Sequence, residues 1–398
     1  MKIVHWDEMF HPSFGYQINL LAKFQAKQGH DVTVITSQKI ETHPTFATFG
    51  NNGNIEQGDK NYEKDYGVKI IRLPIFGHYS GRVLYKPGFI KAIKKEKPDV
   101  LMVHTNDTLS AMIITMLYPF IKLPMVFDNH MLEMASQNKF KDIFQKVFRM
   151  FVTPVIKKHN LKVIRTQDDL YVNKCLGIPK EQTPFISFGS DTLLFKEDEE
   201  VRNRFREENG IGKDDFVIVY TGKLGAAKGG KLLAQALEKK FNTDRKVVGV
   251  IVGKSADDEY GREVEELFLR SENRIIRFST QPYPELPKFY QAADLSVFAK
   301  QCSLSFYDAQ ACGLPVVSCD NNINVERNSH GNGFCFKEED VEDFRAKIQQ
   351  VLDMPQAQYE DMRRNAIAFV QNSYSYEKIA QEYTDVMVNE YDRFYKSR

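Results

Sequence analysis

Short apolar runs alternate with amphipathic stretches along most of the chain. KIVHW (2–6), DVTVIT (31–36), GVKIIRLP (67–74), PDVLMVH (98–104), PMVFDNH (124–130) and LKVIRTQ (161–167) read as strands. Between them lie helical patterns, such as Leu20 to Gln28, which Gly29 ends with a stop signal. A strand that is apolar on both sides must be covered on both faces, so the repeated strand–helix–strand order predicts a parallel sheet. Such sheets bind ligands outside the carboxyl ends of their strands. The residues that follow each strand are therefore the candidates for chemistry.

The alternation breaks at Phe185 to Gly210, where FKEDEEVRNRFREENG is dense in charge. It restarts with FVIVYTG at Phe216 and continues through KVVGVIVG, NRIIRFS, ADLSVFAK, PVVSCD and GFCF. This predicts an α/β protein of two similar Rossmann-like, doubly wound halves, with a boundary between Ser187 and Asp215. The expected domains are residues 1–187 and 188–375, with a last helix in 376–398 crossing back to the first half. Ala111 to Val126 reads as a buried helix and then a strand. Pro119, Lys122 and Pro124 break it well short of the ~20 apolar residues of a membrane span. Phe49 to Asp65 has few apolar anchors and reads as a mobile loop.

Composition narrows the picture. The 398 residues are 42% hydrophobic and 27% charged, which excludes disordered and fibrous readings. Fifty-four basic residues against 53 acidic ones leave a net charge of +1, so a dedicated nucleic-acid binder is not expected. The five cysteines are odd in number and form no CxxC, which suits a reducing cytosol and argues against a zinc site. MKIVHWDEMF lacks a signal peptide's apolar core, so a cytoplasmic location is expected.

The segment YTGKLGAAKGGKLL (220–233) joins a strand to a helix. Gly225 to Lys231 fits the spacing of a P-loop, but Leu232 stands where a hydroxyl must ligate magnesium, so that reading fails. Two readings remain. Lys223 and Lys228 are offered to a diphosphate, with Gly222, Gly225 and Gly229 allowing close backbone approach; or the segment is a tight turn with two solvated lysines. In ADLSVFAKQCSLSFYDAQACGLPVVSCD (293–320) a second loop leads into a helix near Leu304 to Phe306, with Ser303 and Ser305 as cap candidates. Asp308, inside that helix, either accepts hydrogen bonds from a ribose or simply interacts with the helix dipole.

These motifs together resemble the retaining GT-B glycosyltransferases of family 4, the glycosyl transferases group 1. GKL…KGG (222–230) resembles the family's diphosphate-binding element, and IVG (251–253) its glycine-ended strand. YPELPKFYQAADLSVFAK (283–300) resembles its lead-in to the donor loop, and DAQACGLPVV (308–317) its Glu-Ala-x-Ala-x-Gly-x-Pro-Val-Val. FISFGSDTLLF (185–195) resembles the segment joining the halves. The likeness covers nearly the whole chain and is looser in the N-terminal half.

The resemblance implies two Rossmann-like domains facing a cleft. It also implies sugar transfer from a nucleotide-diphosphate sugar of UDP or GDP type to a hydroxyl acceptor, with retention and no other cofactor. Catalytic roles fall on His130, Lys223 and Lys228. Donor contacts fall on Gly15, Gly222, Lys300, Ser303, Leu304, Ser305 and Asp308, and acceptor contacts on His11, Tyr16, Gln17 and His104. The family's Glu pair is replaced by Lys300 and Asp308, and its Gly-Phe-Gly by Gln301, Cys302 and Ser303. An ammonium only donates, so Lys300 cannot accept from sugar hydroxyls. With no Asp-x-Asp, no metal site is expected, and the two lysines would take magnesium's electrostatic part. The acceptor class that the resemblance implies is a glycan or lipid-linked glycan of cell-surface polysaccharide synthesis.

Residues 138–159, rich in Phe and basic, with Lys139, Lys141, Lys146, Arg149, Lys157 and Lys158, read as a core-facing helix or as a peripheral contact with the inner face of the cell membrane. A sugar-nucleotide epimerase and a non-catalytic GT-B partner protein are the alternatives.

Overall fold

The computed structural model describes residues 1–40, 54–79, 82–132, 140–167 and 170–396. The chain forms two compact units, Met1–Phe188 with Tyr376–Arg398, and Gly189–Ser375.

The first unit contains β1 (Lys2–Trp6), β2 (Asp31–Ser37), β3 (Lys69–Leu73), β4 (Ile75–Tyr79), β5 (Arg82–Tyr85), β6 (Val100–Val103), β7 (Met125–Asn129) and β8 (Lys162–Arg165). Six of these make an all-parallel sheet in the order β3-β2-β1-β6-β7-β8. The order reverses between β1 and β6, which opens the ligand-binding position of such sheets. Residues of β1, β6 and β7 are buried on both faces, as their apolar runs require.

The antiparallel pair β4–β5 was not legible as strands. Phe76 and Tyr79 point to solvent there, so the pair lacks the unbroken apolar run that marks the sheet strands.

Expectation and structure also part at residues 49–65. Positions 49–53 lie outside the described residues, but Ile55–Tyr66 is a helix rather than a loop. Asn54 caps it by accepting from the Gln57 N–H at 3.1 Å, and Gly67 ends it in the left-handed conformation. Its single buried side chain, Tyr62, packs edge-on against Phe10 at 5.2 Å. Caps and one anchor replace the apolar stripe that would have announced it.

Tyr376–Lys396 is one helix and belongs to the first unit. Tyr376, Ile379, Ala380, Tyr383 and Met387 form its buried face at spacings of three and four. Gln17 donates to the Tyr383 hydroxyl, and Gln25 Nε2 donates to Thr384 Oγ1 at 3.2 Å.

The helix Lys141–Phe151 carries two apolar stripes. Phe144 and Phe148 turn into the core. Phe140, just before it, and Ile143, Val147, Met150 and Phe151 are exposed on another face, beside the exposed Lys141 and Lys146. A core-facing reading therefore accounts for only half of the pattern. Residues 138 and 139 lie outside the described ones.

The second unit repeats the plan with β9 (Phe216–Thr221), β10 (Val247–Val252), β11 (Arg274–Phe278), β12 (Leu295–Phe298), β13 (Val316–Cys319) and β14 (Gly333–Phe336). The order β11-β10-β9-β12-β13-β14 is again all parallel, with the reversal between β9 and β12. The charge-dense segment is not a linker here. It holds the helix Glu199–Glu208, whose Arg202 and Arg206 bind the buried Asp294 at 2.6 and 2.8 Å. The same carboxylate accepts from the Val217 N–H at 2.7 Å, so the Ala-Asp before β12 ties that helix to the sheet.

Candidate active site

Gly222, at the carboxyl end of β9, adopts φ +147°, and Gly253, at the end of β10, φ +140°. A Cβ on Gly253 would lie 1.9 Å from the Gly222 carbonyl oxygen, so the two strand ends can meet only through glycine. Tyr220 fixes the next residue by donating from its hydroxyl to the Lys223 carbonyl at 2.8 Å. A short 3-10 turn, Ala226–Lys228, follows, and Gly229 turns the chain at φ +70° into the helix Gly230–Ala236. A Cβ on Gly229 would sit 3.0 Å from the Cβ of Lys300 and 3.1 Å from that of Ala299. The glycine thus lets the loops after β9 and β12 touch. Gly225 has open space where its side chain would be, so no close approach requires it.

Lys223 and Lys228 share this loop. Burial lowers the pKa of both below the ordinary lysine range, and the Lys228 charge lowers that of Lys223 further. Lys228 Nζ donates to the Cys302 carbonyl at 3.3 Å. Its partner is a carbonyl, whereas Lys231 and Lys300 hold carboxylates. Lys231, the lysine of the discarded P-loop reading, pairs with Glu263 at 2.7 Å, and Lys300 pairs with Glu339. Glu339 also raises the Lys300 pKa, chiefly through the hydrogen bond.

The loop after β12 differs from its expected form in detail. The helix begins at Ser305 and runs only to Ala311, and its N-cap is Leu304 without a side-chain cap bond. Ser303 and Ser305 therefore do not cap it. Arg327 instead donates to the Ser303 carbonyl at 3.2 Å, and Gln301 stands at φ +58°.

Asp308 is buried, 5% exposed, with Oδ1 accepting from Ser190 Oγ at 2.7 Å and from the Tyr283 hydroxyl at 3.5 Å. Burial pushes its carboxyl up to about 7, while the Ser190 bond opposes this.

The first unit has a different arrangement at the matching edge. Asp7 follows β1, His104 follows β6, His130 follows β7 and Thr166 follows β8. Asp128, inside β7 and fully buried, joins them. Its Oδ2 accepts from His104 Nδ1 at 2.7 Å and its Oδ1 lies 3.1 Å from His130 Nε2. The Thr105 N–H adds a third bond at 2.8 Å. Although burial opposes it, the two imidazoles hold the Asp128 carboxyl far below the usual range. Burial pulls the His104 ring down, but Asp128 more than compensates and its pKa is raised.

The donor atoms of His104, Asp128 and His130 lie within 4.8 Å of one another. Each ring nitrogen already has a partner, since His104 Nε2 meets His5 Nδ1 at 2.9 Å and His130 Nδ1 meets Thr166 Oγ1 at 3.0 Å. The cluster is a hydrogen-bonded chain. Asp7 lies in the field of both rings, and burial raises its carboxyl. Asp7, Asp128 and Thr166 were not singled out by sequence reasoning, although Asp7 and Thr166 each follow a strand.

The residues proposed for an acceptor are partly spent. Gln17 is buried on Tyr383, and His11, 1% exposed, stacks on Phe14 at 4.1 Å. Tyr16 precedes the helix Gln17–Lys27, and burial together with the Asp7 charge pushes its hydroxyl up to about 12. Gly15 lies in the same loop, and its φ is not in the left-handed region.

Two Rossmann-like units, each with a polar site at its strand ends, define the GT-B glycosyltransferase architecture. Residues 201–369 match the family model of glycosyl transferases group 1, and residues 15–160 that of Glycosyltransferase Family 4. The chain thus carries the domains of a family 4, group 1 glycosyltransferase.

A D-inositol 3-phosphate glycosyltransferase of Corynebacterium glutamicum (strain R) is 24% identical over 247 residues, 58% of each chain. A probable sucrose-phosphate synthase of Thermosipho melanesiensis is 23% identical over 96% of this chain and 92% of its own length. Among solved structures, HepE of Anabaena, in complex with UDP and glucose, superposes with a TM-score of 0.73 at 18% identity, over 98% of this chain and all of that one. These structures share the fold. Among the described residues, no helix is long and apolar enough to cross a membrane.

Proposed function

We propose that the protein transfers a sugar from a nucleotide-diphosphate sugar to a hydroxyl acceptor, with retention of configuration and without a metal. The observation that carries this reading is the Lys223–Lys228 pair. Two mutually repelling ammonium groups, one of them bonded to a carbonyl, share a glycine-shaped strand end. A diphosphate relieves both the repulsion and the desolvation, and more so as negative charge grows on the leaving group. Gly222 lies in the loop after β9 and Lys300, Ser303, Leu304 and Ser305 in the loop after β12, which meet at Gly229, while Asp308 in the helix that follows is held by Ser190 and Tyr283. The UDP bound to HepE supports a donor of UDP type over one of GDP type.

The test is turnover of a panel of UDP- and GDP-sugars by the wild type, Lys223→Ala and Lys228→Ala, with and without EDTA. Unchanged transfer in both variants would sink the reading. Loss of activity in EDTA, restored by magnesium, would sink metal independence. Conversion of the donor without any acceptor would mark an epimerase instead, and nucleotide binding without turnover a non-catalytic partner protein.

The acceptor in this reading is a glycan or lipid-linked glycan, met at the inner face of the cell membrane. The exposed apolar stripe of Lys141–Phe151, beside Lys141, Lys146, Lys157 and Lys158, supports an anionic lipid surface as the contact. Wild-type protein should sediment with vesicles containing anionic lipid, and Ile143→Asp with Met150→Asp should abolish this. Equal sedimentation of the double variant would refute the contact.

A further inference from the structure

Side chains hold the loop after β12 by its carbonyls. Asn324 Nδ2 donates to the Gln301 carbonyl at 3.2 Å, Lys228 Nζ to the Cys302 carbonyl at 3.3 Å, and Arg327 to the Ser303 carbonyl at 3.2 Å. Three consecutive carbonyls thus have three different side-chain donors. A peptide is planar and trans, so holding a carbonyl also fixes the direction of the next residue's N–H. The N–H groups fixed in this way are those of Cys302, Ser303 and Leu304. Among the described residues, none of these three has a hydrogen-bond partner. The three residues are half-buried, so water reaches them only in part. An unmade hydrogen bond in such a place costs free energy that a bound acceptor restores.

The holding side chains are fixed in turn. Asn324 and Arg327 lie on the helix Asn322–Arg327 and are 1% and 2% exposed. Asn321 caps that helix by accepting from the Asn324 N–H at 3.0 Å. Asn324 Nδ2 also donates to the Cys319 carbonyl at 2.9 Å, so one amide ties the end of β13 to the loop after β12. The Arg327 guanidinium lies over the Tyr307 ring at 4.7 Å and the Phe306 ring at 5.6 Å. Its bond to Ser303 is charge-assisted and therefore stronger than a neutral one. All of these groups belong to the second unit.

We infer that Asn324 and Arg327 are positioning residues for the donor, holding residues 301–304 so that the N–H groups of Cys302, Ser303 and Leu304 are preset for a diphosphate. The loop stands at the reversal between β9 and β12 and meets the lysine-bearing loop at Gly229. Preset N–H donors stabilise growing negative charge without reorganising during the reaction. The diphosphate as ligand rests on the transferase reading; the hold on the three carbonyls does not.

The test compares UDP with uridine, which carries no phosphate. In the wild type, the nitrogen-15 amide resonances of Cys302, Ser303 and Leu304 should shift when UDP binds and stay in place with uridine. Arg327→Met keeps the stem over the rings and removes the guanidinium. It should weaken UDP binding roughly 10-fold, the loss expected for a charged hydrogen-bond network set loose, with uridine binding unchanged. Arg327→Lys should recover part of that loss, and Asn324→Asp, which cannot donate to Gln301, should repeat it. A merely structural role would weaken UDP and uridine alike, and that outcome overturns the inference. Unmoved amides in wild-type protein that binds UDP overturn it without any variant. Shifted amides in a protein that transfers no sugar would sink the transferase reading alone.

Discussion

The two sheets share one strand order, yet their carboxyl ends hold opposite chemistry. At the end of the first, acids meet imidazoles or hydroxyls: Asp128 meets His104 and His130, Glu8 accepts from Ser110, and Asp107 accepts from Tyr171. At the end of the second, lysines crowd a glycine-shaped loop, and Lys228 finds only a carbonyl. Equal topology therefore does not mean equal function, because the site is made by the loops and not by the sheet. The first end pairs most of its charged groups internally. The second is left with charge that an anion would stabilise.

That contrast breaks most severely if Lys228 is removed. Lys228→Ala should lower kcat/KM for transfer by about 10²- to 10³-fold, the usual loss for one preorganised charge donor. Lys223→Ala, more solvated, should cost less, and a thermal-shift titration with UDP should show weaker stabilisation in both. If the loop geometry matters as much as its charge, Gly253→Ala should destabilise the fold by about 2–4 kcal/mol in urea unfolding, because the new Cβ collides with the Gly222 carbonyl.

Asp308 sharpens the comparison, since it is a buried acid in the lysine-bearing unit. Its carboxyl is raised from 3.8 to about 7, so between those values the folded chain keeps a proton that the unfolded chain has released. Stability from this group must then fall as pH rises from about 4 to about 7. The melting temperature of Asp308→Asn relative to wild type should therefore climb across that window; a parallel pair of curves would refute the assignment. The smallest effect belongs to Lys231→Ala. Its solvent-screened ion pair with Glu263 should contribute little to stability, and UDP binding should be untouched.

Much of the fold was legible because a parallel sheet strand buries both faces and so writes an apolar run. The twelve strands of the two parallel sheets follow such runs, although the edge strands β3 and β11 have no fully buried residue. The β4–β5 pair and the helix Ile55–Tyr66 were not legible, since exposed aromatics and end caps leave no periodic stripe. In the site, Lys223 and Lys228 stood out through glycine spacing. Asp128 did not, because a carboxylate inside MVFDNH gives no sign of its partners. His130 stands in the same run, but the hydrogen bonds come from a different strand end, from His104 and the adjacent Thr105 N–H.

By itself the sequence determined two α/β halves, the rejection of a P-loop at Leu232, and a strand end rich in glycine and lysine. Those features depend on local pattern and on residue chemistry that neighbours cannot alter. Only the tertiary structure decided which charges are compensated. Lys300 and Lys231 meet carboxylates while Lys228 does not, Asp308 is buried against Ser190, and Asp128 lies between two rings. Compensation is a matter of a few ångströms between residues far apart in the chain, and Coulomb energies depend on that distance and on the local burial.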